Sequence, residues 1–280
     1  MTRRGLERRS LPRRVSRQPV GPGRGVLRAK TAGEIEAMAA AGELVVDVHE
    51  RLVSLLVAGV STGELDAAAA EVIRQAGAVS SFLGHQGFPR SICTSVNEEI
   101  VHGIPSERRL TAGDVISIDV GVILDRYHGD AAWTYPVGSV SRDVQRLLDG
   151  TEDALNAAVA VAMAGQPLST IGRAVEAAAA AHQLGVVDDY GGHGIGQTMW
   201  EEPHVPNIAA RAGPIDLFPG LTLAVEPMLS LGNPAYLVEG DGWTIRTVDG
   251  SFAAHFEHDL VVMPDGEPRV FTAGLANVLH

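Results

Sequence analysis

This sequence has a single cysteine, no long apolar run and no segment that resembles a secretory signal. Cys93 is the only cysteine in 280 residues, which excludes an internal disulfide and fits a reducing compartment. No apolar run reaches the roughly 18–20 residues of a membrane span. The N-terminal residues lack the apolar core of a secretory signal. Because 45% of the residues are hydrophobic and 20% charged, we expect a soluble globular protein with a sizeable core.

The charge is divided between a basic N-terminal extension and an acidic remainder. Residues 1–30 hold nine arginines and one lysine against one glutamate, a net charge of +9. The rest holds 12 basic and 33 acidic residues, a net charge of −21. An acidic body argues against broad nucleic-acid binding, whereas the extension favours a local anionic contact such as ribosomal RNA.

Pro19 and Pro22 form a PxxP motif within this extension. A solvated, disordered tail is the simplest interpretation of such a segment. A docking arm for RNA or for a partner with an aromatic groove is the functional alternative. A mitochondrial transit peptide is a third, against which the prolines argue because they interrupt an amphipathic helix.

The hydrophobic pattern predicts one order of elements that occurs twice. Apolar residues spaced by three and four predict helices at 31–56 and near 63–76, the second with Thr62 as its N-cap and Gly77 at its end, and then strands at 90–96 and 115–124. The second series comprises helices at 143–164 and 169–183 and strands at 221–229, 243–248 and 255–263. We therefore predict one α+β domain over residues 31–280, in which two similar halves flank the functional site.

Four acids and one histidine stand in distinctive settings along these strands. They are Asp119 in SIDVG, Asp130 in YHGDAA, His193 in GGHGIG, Glu226 in LAVEPM and Glu257 in AHFEHDL. An acid within an apolar strand needs a partner, and no lysine or arginine stands within these five settings. Four carboxylates neutralise two divalent cations, and a water between two such ions loses a proton near neutral pH. One nitrogen among oxygens suits Mn²⁺, Fe²⁺ or Co²⁺ at least as well as zinc.

These settings, at intervals of 11, 63, 33 and 31 residues, resemble those of the type I methionine aminopeptidases, metallopeptidases of the pita-bread fold. The resemblance covers about residues 31–275. It implies that Asp119 chelates one metal, that Asp130 and Glu257 bridge both, and that His193 and Glu226 complete the other. It also implies that Glu226 is the general base and acid, and that His102, in NEEIVHGIP, contacts the scissile amide.

The resemblance also implies a pocket for the methionine side chain. The matching positions are Phe82, His85, Phe88, Cys93, Met199 and Trp243. An apolar slot of this kind suits an unbranched thioether. For Phe82, Phe88 and Met199 an ordinary place in the core is the alternative interpretation.

Several positions depart from the family pattern close to the expected site. Trp200 stands seven residues after His193, where the family usually has a second active-site histidine that hydrogen-bonds the substrate carbonyl. An indole donates one hydrogen bond but cannot titrate, and the neighbouring His204 follows Pro203 and is not expected to replace it. Gly121 and Ala131 stand in place of threonines, Gln197 in place of an arginine, and His85 in place of a tyrosine. The five ligands remain, whereas their surroundings are changed.

The resemblance therefore implies removal of initiator methionine from nascent chains whose second residue is small, by a cytoplasmic monomer near the ribosome. One alternative is a weakened or inactive metal-binding relative that acts as a binding protein or has an altered substrate scope. Another is a proline-directed peptidase such as a prolidase. Prolidases carry a large additional N-terminal domain, for which residues 1–30 are too few.

Overall fold

A computed structural model describes residues 27–278, so the PxxP motif and most of the basic extension lie outside the described residues. Within residues 27–278 there are four α-helices and fifteen strands, and the predicted order of two helices followed by strands occurs twice. The helices are α1 (Ala32–Val53), α2 (Thr62–Gln75), α3 (Arg142–Ala160) and α4 (Ser169–Ala181). No helix in this range is long and apolar enough to cross a membrane.

Local hydrogen bonds explain where the first two helices begin. Thr31 caps α1: its hydroxyl accepts from the Glu34 amide, and the Glu34 carboxylate accepts from the Thr31 amide in a capping box. In α2 the same exchange joins Ser61 to Glu64, so the predicted N-cap at Thr62 is wrong. The Thr62 hydroxyl instead donates to the Ser106 carbonyl oxygen. Gly77, at a φ of 72°, follows the end of α2 as predicted.

The strands of the first half are β1 (Val79–Ser80), β2 (Cys93–Val96), β3 (Glu99–Val101), β4 (Val115–Leu124) and β5 (Tyr127–Pro136). The long strand β4 pairs antiparallel with β1, β2 and β5. Helix α1 packs against β4 and β5, because its apolar stripe, with Met38, Val45 and Leu52, is completely buried.

The second half contains β6 (Gly185–Val186), β7 (Gly191–Gly194), β8 (Glu201–Pro206), β9 (Thr222–Val225), β10 (Met228–Ser230), β11 (Tyr236–Val238), β12 (Ile245–Thr247), β13 (Ala253–His255), β14 (His258–Val261) and β15 (Arg269–Val270). One sheet has the order β15-β14-β9-β7-β8, and two three-stranded sheets join β13-β10-β6 and β11-β12-β3. One large hydrophobic cluster includes residues of both halves.

Two predicted strands are each divided in the structure. Residues 221–229 form β9 and β10, which are separated by Glu226 and Pro227, and residues 255–263 contain a break at Phe256 and Glu257. Proline has no N–H to donate to a ladder, which explains the first break. In both places the break holds a predicted metal ligand, so the interruptions release these glutamates from regular pairing.

Candidate metal centre

The first half contributes two aspartates from neighbouring strands. In the β4–β5 ladder Asp119 is opposite Ala132, and Gly121 is opposite Asp130. Asp130 is therefore two residues from the partner of Asp119, and residues two apart point to the same face of a sheet. The antiparallel register thus brings the two carboxylates together.

The second half contributes His193, Glu226 and Glu257 through the sheet that contains β7, β9 and β14. His193 is opposite Ala224, two residues before Glu226, so the two side chains share a face. His258 is opposite Val225, which places Glu257 beside Glu226 where both strands break. The amide of Glu257 donates to the Ala132 carbonyl oxygen at 2.8 Å, and this bond joins the two halves at the site.

The ligand atoms of Asp130, His193 and Glu257 lie within 4.8 Å of one another. His193 Nε2 lies 3.7 Å from Asp130 Oδ2 and 3.9 Å from Glu226 Oε1. One carboxylate oxygen on each of Asp119, Asp130 and Glu257 is buried without a hydrogen-bond partner. Buried oxygens without donors are costly, and divalent cations are the partners that such a set of oxygens and imidazole fits.

Burial and mutual repulsion disfavour the ionised forms of these acids when no cation is present. Burial raises the pKa of Asp119 to about 7. Burial, followed by the neighbouring carboxylates, holds the pKa values of Asp130 and Glu257 well above their usual range. A divalent cation reverses this effect because it favours the charged carboxylates.

His193 and His102 are held as neutral imidazoles. Burial lowers the pKa of His193, and its Nδ1 bonds the Gly194 carbonyl oxygen at 2.9 Å. This bond leaves Nε2 free to face the carboxylates. Burial also lowers the pKa of His102 to about 4. His102 adopts a φ of 60°, an uncommon conformation for a residue other than glycine, at the turn after β3.

The predicted pocket residues lie together beside the centre. Phe82, Phe88, Cys93 and Met199 are buried in one cluster, against which Trp200 and Trp243 pack. The ring of Phe88 lies 6.5 Å from that of Phe82 and 5.1 Å from that of Trp243, both edge-on. Burial raises the pKa of the Cys93 thiol, so this cysteine is an apolar wall residue rather than a nucleophile.

Trp200 is half-buried between the centre and the pocket rim. Its ring centroid lies 6.1 Å from that of His193 and 4.4 Å from that of His85. An imidazole at this position would therefore lie close to the predicted metal ligands. His204 does not take its place, because the residue is exposed and its Nδ1 bonds the Gly192 carbonyl oxygen.

The other departures have local partners. A β-carbon at Gly121 would lie 2.8 Å from the Phe82 ring, so this ring fills the space that a threonine would need. Gln197 donates to the Tyr127 hydroxyl at 3.0 Å, and that hydroxyl donates to Glu34. These contacts differ from those of an arginine, and they tie the loop after His193 to β5 and α1.

The end of the basic extension holds the same loop. Lys30 Nζ lies 2.7 Å from Glu201 Oε2, and the Lys30 side chain is only 2% exposed. The Lys30 amide donates to the Gly220 carbonyl oxygen. Because Glu201 directly follows Trp200, this buried ion pair fixes the segment that carries the indole.

Replacing Lys30 by methionine should lower the free energy of unfolding by about 3 kcal/mol, because it leaves Glu201 without its cation in a largely buried setting. Urea unfolding monitored by circular dichroism measures the effect. Arg269→Met is the matched control, since it removes an exposed pair with Glu36 and should cost at most about 1 kcal/mol. Equal losses in the two variants would contradict the structural importance of the Lys30 pair.

Sequence reasoning missed two residues of the centre, His255 and Asp259. His255 Nε2 lies 3.4 Å from Glu226 Oε2, and Asp259 Oδ2 accepts the Asp130 amide at 2.7 Å. Both stand two residues from Glu257 in AHFEHDL. The period of two in extended chain was the available signal.

Comparison with known proteins agrees with this geometry. The sequence matches metallopeptidase family M24 over residues 36–264. It is 45% identical to methionine aminopeptidase 1 of Bacillus subtilis over 237 residues, 85% of this chain and 96% of that protein. It is 44% identical to methionine aminopeptidase 1 of Mycobacterium tuberculosis over 260 residues, 90% of this chain and 97% of that protein. The crystal structure of methionine aminopeptidase from Rickettsia prowazekii, 36% identical, superposes with a TM-score of 0.86 and covers 88% of this chain and 100% of that one.

The chain therefore belongs to metallopeptidase family M24. Within that family its relatives are the bacterial type I methionine aminopeptidases, so the predicted resemblance and the pita-bread fold are confirmed. The class of the protein, a metalloaminopeptidase, is confirmed with them.

Proposed function

We propose that this protein removes the N-terminal methionine of nascent polypeptides and that it uses two divalent metal ions. The observation that carries the proposal is a buried cluster of four carboxylates and one imidazole with unpaired oxygens, next to an apolar pocket. Asp119, Asp130, His193, Glu226 and Glu257 would hold the ions. When bound, such ions polarise a carbonyl and lower the pKa of water.

The side chains around the cluster would bind and orient the substrate. The apolar wall formed by Phe82, Phe88 and Cys93 would bind the methionine side chain and exclude water from it. His102 is neutral, and it would donate or accept one hydrogen bond at the scissile amide. These contacts would determine which amide bond of the substrate lies over the metal ligands.

Glu226 would accept the proton of the attacking water and return it to the leaving amine. Burial opposes its ionisation, but the contact with His255 and the nearby histidines hold the pKa of Glu226 below its usual range. The side chain is therefore a carboxylate near neutral pH, as a general base requires.

The setting of the reaction is part of the same proposal. We infer a cytoplasmic monomer, with residues 1–30 as an extension whose arginines contact the ribosome. Small second residues would be preferred. The native ions would be Mn²⁺, Fe²⁺ or Co²⁺, which a site dominated by oxygen accepts.

Turnover of tripeptides that begin with Met-Gly by the metal-loaded full chain tests the proposal. We expect release of methionine, and release of the N-terminal residue at least tenfold slower from matched tripeptides that begin with Leu-Gly or Met-Leu, because a poorly filled or overfilled pocket loses about 1–3 kcal/mol. A protein that holds metal and releases nothing would instead support the binding-protein alternative, which Trp200 favours.

Chelation should lower the melting temperature, because the metal-free carboxylates repel one another. Metal at 100 times its dissociation constant stabilises by about 2.7 kcal/mol per site. The loss of melting temperature on chelation should be larger at pH 8 than at pH 5.5. This is because the pKa of Asp119 is raised to about 7, so the metal-free fold loses stability as pH rises from about 4 to about 7. Differential scanning calorimetry with and without chelator measures both effects, and equal melting temperatures in a sample first shown to hold metal would count against a preformed site.

A further inference from the structure

His255 is buried beside the centre and has an unused nitrogen. Its side chain is 3% exposed, and Nε2 makes no hydrogen bond. A buried N–H or ring nitrogen without a partner is rare, because its desolvation is then uncompensated. The nitrogen faces Glu226 and Glu257, so the missing partner belongs on the side of the carboxylates.

The distances from this nitrogen indicate what the partner is. Nε2 lies 3.4 Å from Glu226 Oε2 and 3.7 Å from Glu257 Oε2, longer than the roughly 2.7–3.2 Å of a normal hydrogen bond. Two donors that each lie about 2.1 Å from one ion at a tetrahedral angle are separated by about 3.4 Å. The spacing therefore fits atoms that share a cation.

Glu226 lies between two imidazoles, and each of its carboxylate oxygens faces one of them. His193 Nε2 lies 3.9 Å from Glu226 Oε1, and His255 Nε2 approaches the other oxygen of the same carboxylate. Ligand atoms of Glu226, His255 and Glu257 lie within 4.8 Å of one another, as do those of Asp130, His193 and Glu257. The centre thus contains two comparable groups of donors, each with one histidine.

Hydrogen bonds on both edges hold the backbone of His255, and they fix the direction in which its ring points. On one edge, the His255 amide donates to Thr134 Oγ1 at 2.9 Å, and the Thr134 hydroxyl donates to the His255 carbonyl oxygen at 2.8 Å. On the other edge His255 pairs with Met228 in the β10–β13 ladder. Ligands held in this way are characteristic of preorganised metal sites.

We propose that His255 is a second imidazole ligand of the metal centre, on the side of Glu226 opposite His193. This inference rests on the proposed function only for the presence of divalent ions and not for the substrate. A neutral imidazole adds a donor without changing the charge balance of four carboxylates against two ions. It shifts the preference of the site from Mg²⁺ and Mn²⁺ towards Fe²⁺, Co²⁺ and Zn²⁺.

The test counts imidazole ligands on bound Co²⁺ and measures its affinity. The full chain, His255→Gln and His204→Gln are each loaded with two equivalents of Co²⁺ and studied by X-ray absorption at the cobalt edge, with calorimetric titration alongside. His204 is the matched control, since it is an exposed histidine bonded to a carbonyl oxygen. His255→Asn repeats the test with a side chain that cannot reach as far, and circular dichroism checks that each variant is folded.

We expect two imidazoles per two ions in the full chain and in His204→Gln, and one in both His255 variants. The affinity of the variants for Co²⁺ should fall more than the roughly 10–100-fold that the loss of an outer partner causes. A single imidazole in the full chain, or an unchanged count in folded His255→Gln, would show that His255 only hydrogen-bonds Glu226 and would overturn the inference. A full chain that binds no Co²⁺ would overturn the proposed metal centre as well, whereas failure of peptide turnover alone would leave this result intact.

Discussion

Trp200→His is expected to raise kcat about 10²–10³-fold, the amount that one hydrogen-bond donor to a developing oxyanion typically contributes. The position is suitable for such a gain. The ring of Trp200 lies 6.1 Å from that of His193 and half-buried against the pocket, so an imidazole there would lie within reach of a substrate carbonyl over the metal ligands. KM should change much less than kcat, because the new bond strengthens in the transition state.

Steady-state kinetics on a Met-Gly tripeptide, at equal metal content, measures this gain. Trp243→His is the matched control, since it makes the same replacement at the pocket wall, where Trp243 packs on Phe88. That variant should lose binding of methionine and gain nothing in kcat. If folded, metal-loaded Trp200→His is no faster than the original chain, then Trp200 does not limit the rate, and another group already stabilises the oxyanion.

The order of the elements could be predicted, and the five candidate ligands could be recognised, because each depends on a local pattern. The helix α1 follows from apolar spacing and from Thr31 with Glu34, and the acids stood out because their neighbours are apolar. The N-cap of α2 was assigned one residue late, because Ser61 and Thr62 are chemically similar and only the structure shows that Thr62 bonds Ser106.

What could not be predicted depends on contacts between distant residues. Lys30 and Glu201 are 171 positions apart, and no pattern in the sequence joins them. The role of His255 depends on which way a three-residue strand faces, and that is set by pairing with β10. The breaks at Glu226 and Glu257 were likewise hidden, because periodicity reports apolar faces and not where a ladder opens.

Glu226→Gln should lower kcat about 10²–10⁴-fold at saturating metal, the range that a positioned general base contributes. Glutamine keeps the size of the side chain and one oxygen for a metal, but it cannot accept a proton. Because contacts with the histidines around it hold the pKa of Glu226 below its usual range, the original chain should lose activity only on the acid side of neutral pH. The acid limb of the kcat profile should be absent in the variant.

Asp119→Asn separates loss of the base from loss of metal. Asp119 belongs to the same cluster, and its Oδ1 is buried and unpaired, so its replacement should weaken metal binding while leaving Glu226 in place. With metal raised until both variants are fully loaded, as measured by atomic absorption, Asp119→Asn should recover most of its kcat and keep its acid limb, whereas Glu226→Gln should recover neither. Equal recovery in the two variants would mean that Glu226 serves only as a ligand, and the proton would then have to be carried by another group of the site.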